Sequence, residues 1–470
     1  MLLIAVLAAG LYMAWNIGAN DVANAMGTSV GSGALTLKSA ILVAGVLEFS
    51  GAFFFGSHVS ETMQKGIINP EVFAEVPMDL VLGMLAALIG TGIWLQIASY
   101  FGWPVSTTHA IVGAIVGFGA LIGGLESIYW DQVAYISVSW VLSPLLGALF
   151  GYALFNLIRK KIFFAPHPLA SAKKIIPILT GSVALLLSLF VIYNALENIF
   201  LEISILESLV YALMAAALGY FISKWLIRKK IPHILLEKRE LSRAHREQLE
   251  AAKDQLAQAE KLAQKGFQIQ MEGLIHELKG TIHNLENADE FNYTKLEFNY
   301  IEKMFAWLQI LSASMMAFAH GANDVANAIG PLAAALFVLQ TGSVAIDPEI
   351  PTWILALGGF GIVLGLATWG WRVIETIGKK LTELTPTRGF AAEFGAAITI
   401  LAASKLGLPI STTHTLVGAV LGIGFARGIE AINLGMTRDI VVSWLVTLPA
   451  GALMASGVFL ALRFALTLTQ

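Results

Sequence analysis

The sequence contains no cysteine and few charged residues, and both shortages limit what the protein can be. Without cysteine among 470 residues, disulfides and thiolate metal sites are excluded. Charged residues make up 13% of the chain, whereas soluble domains carry about 25%. Hydrophobic residues reach 57%, with a mean hydropathy of +0.73. This composition predicts a protein that crosses a membrane many times.

Signatures of catalysis are also missing. The chain has no P-loop, no HExxH zinc motif and no convincing catalytic triad. We therefore predict that it is not an enzyme and uses no cofactor. The first residues are apolar from Leu2 and lack a basic region, so we expect no cleavable signal peptide.

The charged residues are concentrated in one segment. Between Arg228 and Lys303 lie 13 of the 29 basic residues and 13 of the 32 acidic residues. Within it, leucines from Leu241 to Leu262 and from Leu274 to Leu285 follow helical spacing on two stripes, with Gly266 between them. We predict a soluble insert of two helices at 231–303.

Ten apolar stretches long enough to cross a bilayer occur in two sets of five, one before this insert and one after it. Two further spans lie between the sets, near 175–196 and 205–227, and give about twelve in all. Glycine and proline interrupt several of them, which predicts an all-α fold with broken or re-entrant helices. The remaining ten candidates lie near 2–27, 40–60, 80–101, 104–124, 131–158, 304–338, 352–371, 389–405, 408–426 and 438–463.

Two motifs occur twice, at nearly constant separation. The segment GANDVANAMG begins at Gly18, and GANDVANAIG begins 303 positions later at Gly321. PVSTTHAIVGAIVGFG begins at Pro104, and PISTTHTLVGAVLGIG begins 305 positions later at Pro409. These repeats indicate an internal duplication. We predict a first repeat at 1–160, two linking helices at 161–230, the insert at 231–303 and a second repeat at 304–470.

Charges in the loops predict the orientation of the two repeats. Lys and Arg prefer the cytoplasmic side, so the basic loops 159–174 and 228–303 are expected inside, with both termini outside. Loop 61–79 is acidic, whereas its counterpart 372–388 is basic. The second repeat is therefore expected to be inverted. Secondary transporters are often built this way, with their site at the bilayer midplane.

The first motif places an acid and amides within apolar spans. Its polar residues are Asn20, Asp21 and Asn24, repeated as Asn323, Asp324 and Asn327. A carboxylate at the bilayer centre costs about 2.5–3.5 kcal/mol on insertion scales and needs a compensating partner. Sodium bound by oxygen ligands would provide one, as would a proton. Interhelical hydrogen bonding is the alternative, but the near-identical duplication favours a functional role.

The second motif places hydroxyls immediately after a proline. Its residues are Ser106, Thr107, Thr108 and His109, repeated as Ser411, Thr412, Thr413 and His414. Because proline suits a first helical turn, these hydroxyls are expected where free backbone N–H groups favour anions. Ordinary helix capping is the alternative. Two facing copies could hold one tetrahedral oxyanion.

Four further ionisable residues are candidates for coupling. Glu48 and Glu393 lie in apolar runs and have no acidic counterpart in the other repeat, since Leu88 aligns with Glu393. His109 and His414 could relay protons, although hydrogen-bonded histidines are the more usual case. His320 precedes the second motif where the first has Ile17, and we assign it no role.

With these residues in view, the chain resembles the inorganic phosphate transporter (PiT) family, which includes the type III sodium–phosphate cotransporters. The resemblance covers roughly 1–160 and 304–465 and rests on the paired ANDVANA and STTH motifs. It implies a twelve-span inverted-repeat carrier, usually a homodimer, that moves inorganic phosphate with a cation. It also implies cation and phosphate binding by the ANDVAN segments, a phosphate site lined by the STTH segments, and roles in transport for Glu48 and Glu393.

We therefore predict a secondary transporter of the cell membrane that imports phosphate with sodium ions by alternating access. The stretch GANDVANAMGTSVGSGALT from Gly18 resembles the sodium-coupled branch of the family. A proton-coupled phosphate or sulfate permease remains an alternative, because both anions are tetrahedral oxyanions. A passive anion channel is a further alternative, which saturable, gradient-dependent uptake would distinguish.

Overall fold

A computed structural model describes residues 1–195, 204–229, 233–262, 265–344, 350–374, 384–428 and 434–467. Within these ranges the chain is helical and forms no strand beyond an isolated bridge between Ile68 and Ile128. The all-α expectation is confirmed. Most of loop 372–388, which contributes to the predicted orientation, lies outside the described residues.

Over the residues described, the first half and the linking segment contribute nine α-helices. They are α1 (Leu2–Asn20), α2 (Val22–Gly31), α3 (Leu37–Phe55), α4 (Ser57–Lys65), α5 (Pro77–Phe101), α6 (Thr107–Gly123), α7 (Trp130–Ile158), α8 (Pro168–Ala195) and α9 (Ile205–Lys229).

The insert and the second half contribute seven more among the described residues. They are α10 (His233–Leu262), α11 (Lys265–Asp324), α12 (Ala326–Thr341), α13 (Thr352–Thr368), α14 (Pro386–Lys405), α15 (Thr412–Arg427) and α16 (Leu434–Thr467).

The helix that carries each ANDVAN motif is interrupted inside the motif. The first breaks at Asp21, between α1 and α2, and the second at Val325, between α11 and α12. At the first break the Asn24 N–H donates to the carbonyl of Asp21 at 2.8 Å, a tighter turn than the α-helical pattern. Both breaks therefore lie among the motif's polar residues, within a buried stretch of helix.

Each STTH motif begins the second arm of a helical hairpin. The first arm, α5 or α14, is followed by a glycine with positive φ, Gly102 at +68° and Gly407 at +66°, a conformation that glycine adopts at little cost. The proline two residues later prevents helix continuation. The hydroxyl of Ser106 or Ser411 then caps the second arm, α6 or α15. The matching GxP spacing therefore produces the same tip twice.

Eight helices in the described part of the chain are long and apolar enough to cross a membrane, and two shorter apolar helices accompany them. The prediction of about twelve spans counted each hairpin arm as a span, and that number stays a prediction. In the structure the hairpin tips touch Asp21 and Asp324 in the interior. The protein is a multi-pass membrane protein.

Helices of the first half pack directly against helices of the second half. Helix α1 packs against α13 of the second half, and α11 packs against α3 of the first. Likewise α6 packs on α16, and α15 packs on α7. One continuous apolar core therefore contains residues of both halves, and both hairpin tips are held within it.

The insert contains the predicted pair of helices, and the second of them continues beyond the insert into the second half. Helix α11 runs without interruption from Lys265 through the end of the insert to Asp324. Glu297 accepts from the backbone N–H of Leu169 at 2.8 Å, and Glu302 accepts from the N–H and hydroxyl of Thr387 at 2.9 and 2.8 Å. These contacts join α11 to the first turns of α8 and α14.

Candidate substrate site

The carboxylates of both motifs contact threonines at the hairpin tips. The Thr107 hydroxyl donates to Asp21 Oδ2 at 2.6 Å, and the Thr412 hydroxyl donates to Asp324 Oδ2 at 2.9 Å. All four side chains are at most 1% exposed. The structure therefore brings together the two predicted sets of residues, the acids and the hydroxyls, once in each half.

The second amide of each motif reaches the hairpin of the opposite half. Asn24 Nδ2 donates to the Thr413 hydroxyl at 2.7 Å. Asn327 Nδ2 lies 3.1 Å from the Thr107 hydroxyl and 3.2 Å from that of Thr108. Because each motif binds both hairpins, the four elements form one site and not two separate ones.

The first amide of each motif fixes the tip of its own hairpin. Asn20 Nδ2 donates to the Ser99 hydroxyl at 2.9 Å and to the carbonyl of Trp103 at 3.2 Å. Asn323 Nδ2 makes the same contacts with Ser404 and with the carbonyl of Leu408, both at 3.1 Å. The pairs are separated by the offsets of the duplication, so the repeated sequence produces repeated geometry.

The amide oxygens of the motif asparagines accept no hydrogen bond from the described part of the chain. Among the described residues no group donates to the Oδ1 atom of Asn20, Asn24, Asn323 or Asn327, nor to Asp324 Oδ1. A buried acceptor without a partner costs about 1–3 kcal/mol. Oxygen atoms with free lone pairs, next to two carboxylates, are the ligands that hard cations prefer. This donor set therefore fits sodium ions as cargo.

The hairpin tips have the opposite electrostatic character. The first turns of α6 and α15 meet at the site, where the Thr108 hydroxyl donates to the carbonyl of Ile410 at 3.0 Å. Helix N-termini carry partial positive charge and attract anions. Ser106 and Ser411 accept from the N–H of His109 and His414, each at 3.2 Å. These serines thus serve as caps, and the threonines face the centre.

His320 belongs to the site, contrary to the sequence analysis. Its Nδ1 lies 2.7 Å from Glu48 Oε2, and its Nε2 lies 3.0 Å from Asp324 Oδ2. His320 and Glu48 are fully buried. One ligand atom from each of Asp21, His320 and Asp324 lies within 4.8 Å of the others. The four-residue spacing of His320 and Asp324 was the signal available in the sequence.

Glu393 lies outside this cluster, in a polar pocket of its own. Its Oε1 accepts from the hydroxyls of Thr28 and Ser29, the latter at 2.6 Å, and its Oε2 accepts from Ser312 at 2.6 Å. Gln309 Nε2 donates to Oε1 at 3.2 Å. Glu393 is fully buried and contacts no threonine of the hairpins through these bonds.

The two motif histidines pack on each other and on tryptophans. The rings of His109 and His414 are 4.4 Å apart in an edge-to-face arrangement. His109 lies 4.0 Å from Trp140, and His414 lies 3.7 Å from Trp444, between ring centroids. This aromatic cluster binds α6 and α15 to each other and to α7 and α16. The proton relay remains an untested prediction.

Comparison with known proteins agrees with this architecture. A model of the phosphate transporter family matches residues 17–455, a range that contains both motif pairs, Glu48, His320 and Glu393. The chain belongs to the phosphate transporter family. It is therefore a transporter of phosphate and not an enzyme.

Two proteins show how far the similarity to this phosphate transporter extends. The chloroplastic inorganic phosphate transporter 2-1 of Arabidopsis thaliana is 47% identical over 450 residues, covering 95% of this chain and 70% of that protein. A solved structure described as the sodium-dependent phosphate transporter is 37% identical, with a TM-score of 0.78. The alignment covers 98% of this chain and 99% of that one.

Proposed function

We propose that this phosphate transporter imports phosphate together with sodium ions by alternating access, and that the two motif pairs bind both. The observation that carries the proposal is the set of buried asparagine oxygens to which no group in the described part of the chain donates. The similarity to a sodium-dependent phosphate transporter supports the same cation.

The cations are assigned to Asn20, Asp21 and Asn24 in the first half and to Asn323, Asp324 and Asn327 in the second. Asp21 and Asp324 would repel each other and an arriving anion in this buried space. Bound sodium removes both obstacles, so phosphate and sodium favour each other's binding. That mutual dependence is what couples the two fluxes.

Phosphate is assigned to Thr107, Thr108, Thr412 and Thr413, with Asn24 and Asn327 beside them and Ser106 and Ser411 capping the same turns. The helix N-termini supply partial positive charge, and the hydroxyls donate to the anion's oxygens. The site is shared by both halves, and movement of one half against the other would expose it to one side at a time. Glu48 and Glu393 are assigned to coupling within this cycle.

The remaining predictions define the setting of this cycle. We propose that the protein is a homodimer of the cell membrane, with both termini outside and the insert 231–303 in the cytoplasm. The basic ends of the described segments support this orientation, since Arg159, Lys160 and Lys161 follow α7 directly.

The test is uptake of labelled phosphate by proteoliposomes that contain the purified full-length protein. Uptake is measured under an inward sodium gradient, and then under a proton gradient without sodium, each with and without excess sulfate. Asp21→Asn and Asp324→Asn are compared with Ser137→Ala, a control that loses only a hydroxyl bonded to its own helix at Val133.

Sodium-dependent uptake that resists sulfate, disappears in both Asp variants and persists in the control is the expected result. Uptake driven by protons without sodium would refute sodium coupling. Competition by sulfate at equal potency would refute phosphate selectivity, and uptake that does not saturate with phosphate would indicate a channel.

A further inference from the structure

Two equivalent tryptophans lie beside the tips of the hairpins. Trp140 on α7 recurs 304 positions later as Trp444 on α16. The ring of Trp140 contacts His109 in the first hairpin, whereas α7 packs against α15 of the second. The ring of Trp444 contacts His414 in the second hairpin, whereas α16 packs against α6 of the first. Each tryptophan therefore lies between the two hairpins.

The indole N–H groups of this pair are used differently. Trp140 Nε1 donates to the carbonyl of Pro409, in the turn of the second hairpin, at 3.1 Å. By the offsets of the duplication, the equivalent acceptor for Trp444 is the carbonyl of Pro104 in the first hairpin. The N–H of Trp444 is instead buried with no acceptor among the described residues. One hairpin tip is therefore held by its tryptophan, and the other is not.

The burial of the two tips shows the same difference. Pro409 is buried, whereas Pro104 is half-buried. The second tip also has a further restraint, because the hydroxyl of Thr62 on α4 donates to the carbonyl of Gly407 at 2.8 Å. The second tip is thus the more firmly held of the two.

Contacts nearer the centre are the same in both halves. The Thr108 hydroxyl donates to the carbonyl of Ile410 at 3.0 Å. The equivalent Thr413 hydroxyl lies 3.3 Å from the carbonyl of Val105, the residue equivalent to Ile410. The unequal indoles therefore accompany equal threonine contacts, and the difference lies at the outer side of the tips.

A buried indole N–H without an acceptor needs an explanation, because a buried tryptophan usually has a hydrogen-bond partner. The duplication provides one, since equivalent residues of the opposite halves make this bond. Two inverted halves can exchange their conformations, and that exchange changes the side to which a central site opens. Replacing one indole–carbonyl bond by its equivalent keeps the number of bonds constant, which suits two states of similar free energy.

We propose that Trp140 and Trp444 are alternating latches of the hairpin tips. Trp140 binds the carbonyl of Pro409 in the state that this structure represents. Trp444 binds the carbonyl of Pro104 in the state that opens to the opposite side of the membrane. Each proline lies three residues before a threonine that donates to a motif carboxylate, so release of a tip reaches the site directly. This inference rests on the proposed alternating access and adds residues that distinguish its two states.

The test removes each indole N–H and keeps an aromatic ring, in Trp140→Phe and Trp444→Phe. The matched control is Trp130→Phe. Trp130 also lies on α7, and its Nε1 donates to a backbone carbonyl, that of Leu125, at 2.9 Å. The control therefore loses the same kind of bond away from the hairpin tips.

Single cysteines report the exposure of each tip, since the chain contains no other cysteine. Trp103→Cys reports on the first tip and Leu408→Cys on the second. These positions are equivalent, and Asn20 and Asn323 bind their backbone carbonyls, which the substitutions retain. The rate of reaction with a maleimide is measured for each cysteine in the purified full-length protein in detergent, together with the unfolding temperature.

The expected result is a pair of opposite shifts. Trp140→Phe should raise the ratio of the labelling rate at Leu408→Cys to that at Trp103→Cys by about two- to tenfold, the effect of one hydrogen bond on an equilibrium. Trp444→Phe should lower the ratio by a similar factor, and the double variant should return it toward the unmodified value. Trp444→Phe should not lower the unfolding temperature, because it loses a donor that has no acceptor in the described part of the chain.

A ratio that moves in the same direction in both variants, or that does not differ from Trp130→Phe, would overturn the proposal, because loosened packing acts on both tips alike. If Trp140→Phe does not fold, an unchanged or raised ratio in Trp444→Phe is sufficient to overturn it. Labelling needs no uptake, so a failure of sodium-driven uptake is a separate result. Uptake that does not saturate would refute alternating access itself.

Discussion

Gly18 packs against the backbone of Ile362, and its counterpart Gly321 packs against the backbone of Glu48. These matching contacts show that Glu48 and Ile362 occupy equivalent places. The residue that precedes each glycine also differs, since it is Ile17 in the first half and His320 in the second. One of the two equivalent places therefore has Ile17 and Ile362, whereas the other has His320 bonded to Glu48.

Comparable differences appear further from the centre. Glu393 corresponds to Leu88 on α5, whereas Asn16 corresponds to Ala319 on α11. In our proposal, the duplicated contacts of Asn, Asp and Thr define what the site binds. The residues around these contacts differ between the halves. A fully symmetric carrier would behave alike toward both sides of the membrane, so these unequal residues are where a difference between the two sides could arise.

The largest expected effect comes from making the halves alike at the histidine. His320→Ile leaves Glu48 buried without its partner, and breaking such a pair costs about 3–5 kcal/mol. The double variant His320→Ile with Glu48→Ile copies the place that has Ile17 and Ile362 and should recover most of that loss. The measurement is the unfolding temperature of the purified protein in detergent.

Ile17→Leu, which conserves volume at the equivalent place, is the control for that comparison. Equal unfolding temperatures for the single and double variants would show that the His320–Glu48 contact does not stabilise the fold. The difference between the two places would then have no electrostatic effect on stability.

A smaller effect is expected at the second difference. Glu393→Leu copies Leu88 and leaves the hydroxyls of Thr28, Ser29 and Ser312 without their acceptor, at a cost of about 1–3 kcal/mol. Because these residues are not part of the hairpin tips, the maximal uptake rate should fall more than the affinity for phosphate. Uptake measured against phosphate concentration separates the two quantities.

Glu393→Gln keeps the shape and one acceptor oxygen, so it should lie between the leucine variant and the unmodified protein in unfolding temperature. A phosphate affinity that falls as much as the rate would place Glu393 in direct contact with the substrate, against the hydrogen bonds observed here.

The duplicated elements were predictable because each depends on a short local pattern. The GxP spacing before STTH specifies a glycine turn, a proline stop and a serine cap within a few residues. The sequence predicted broken or re-entrant helices but did not indicate which spans they were. Apolar length alone does not distinguish a re-entrant arm from a crossing, and the contacts of Thr107 and Thr412 with the motif carboxylates are visible only in three dimensions.

The unequal residues were harder to interpret. His320 was set aside because Ile17 stands in its place, which assumed that function follows the repeat. Its partner Glu48 lies on α3, 272 positions away, and no local pattern joins them. Asn16 escaped notice for a related reason. It lies outside the motif, and only in three dimensions is its amide oxygen seen to be buried without a donor from the described part of the chain.

The halves are expected to respond equally where their packing is equal. An added methyl group in Gly18→Ala or Gly321→Ala would press on a backbone carbonyl, of Ile362 or Glu48 respectively. Overpacking of this kind costs about 1–3 kcal/mol, and both variants should lower the unfolding temperature alike. Gly457→Ala is the control, since no atom of the described ranges lies within 4 Å of a Cβ there. A loss at one glycine only would contradict the equivalence of Ile362 and Glu48.

The smallest effect is expected at the serine caps. Ser106→Ala and Ser411→Ala each remove an acceptor 3.2 Å from a backbone N–H at the start of a hairpin's second arm. Loss of such a cap costs about 1 kcal/mol, equally in both halves, and unfolding temperatures measure it. Glycine at the same positions should cost less, because a bare cap leaves the N–H accessible. If one alanine variant also weakens phosphate binding while the other does not, the two hairpins contribute unequally to the anion, and the asymmetry would extend into the centre of the site.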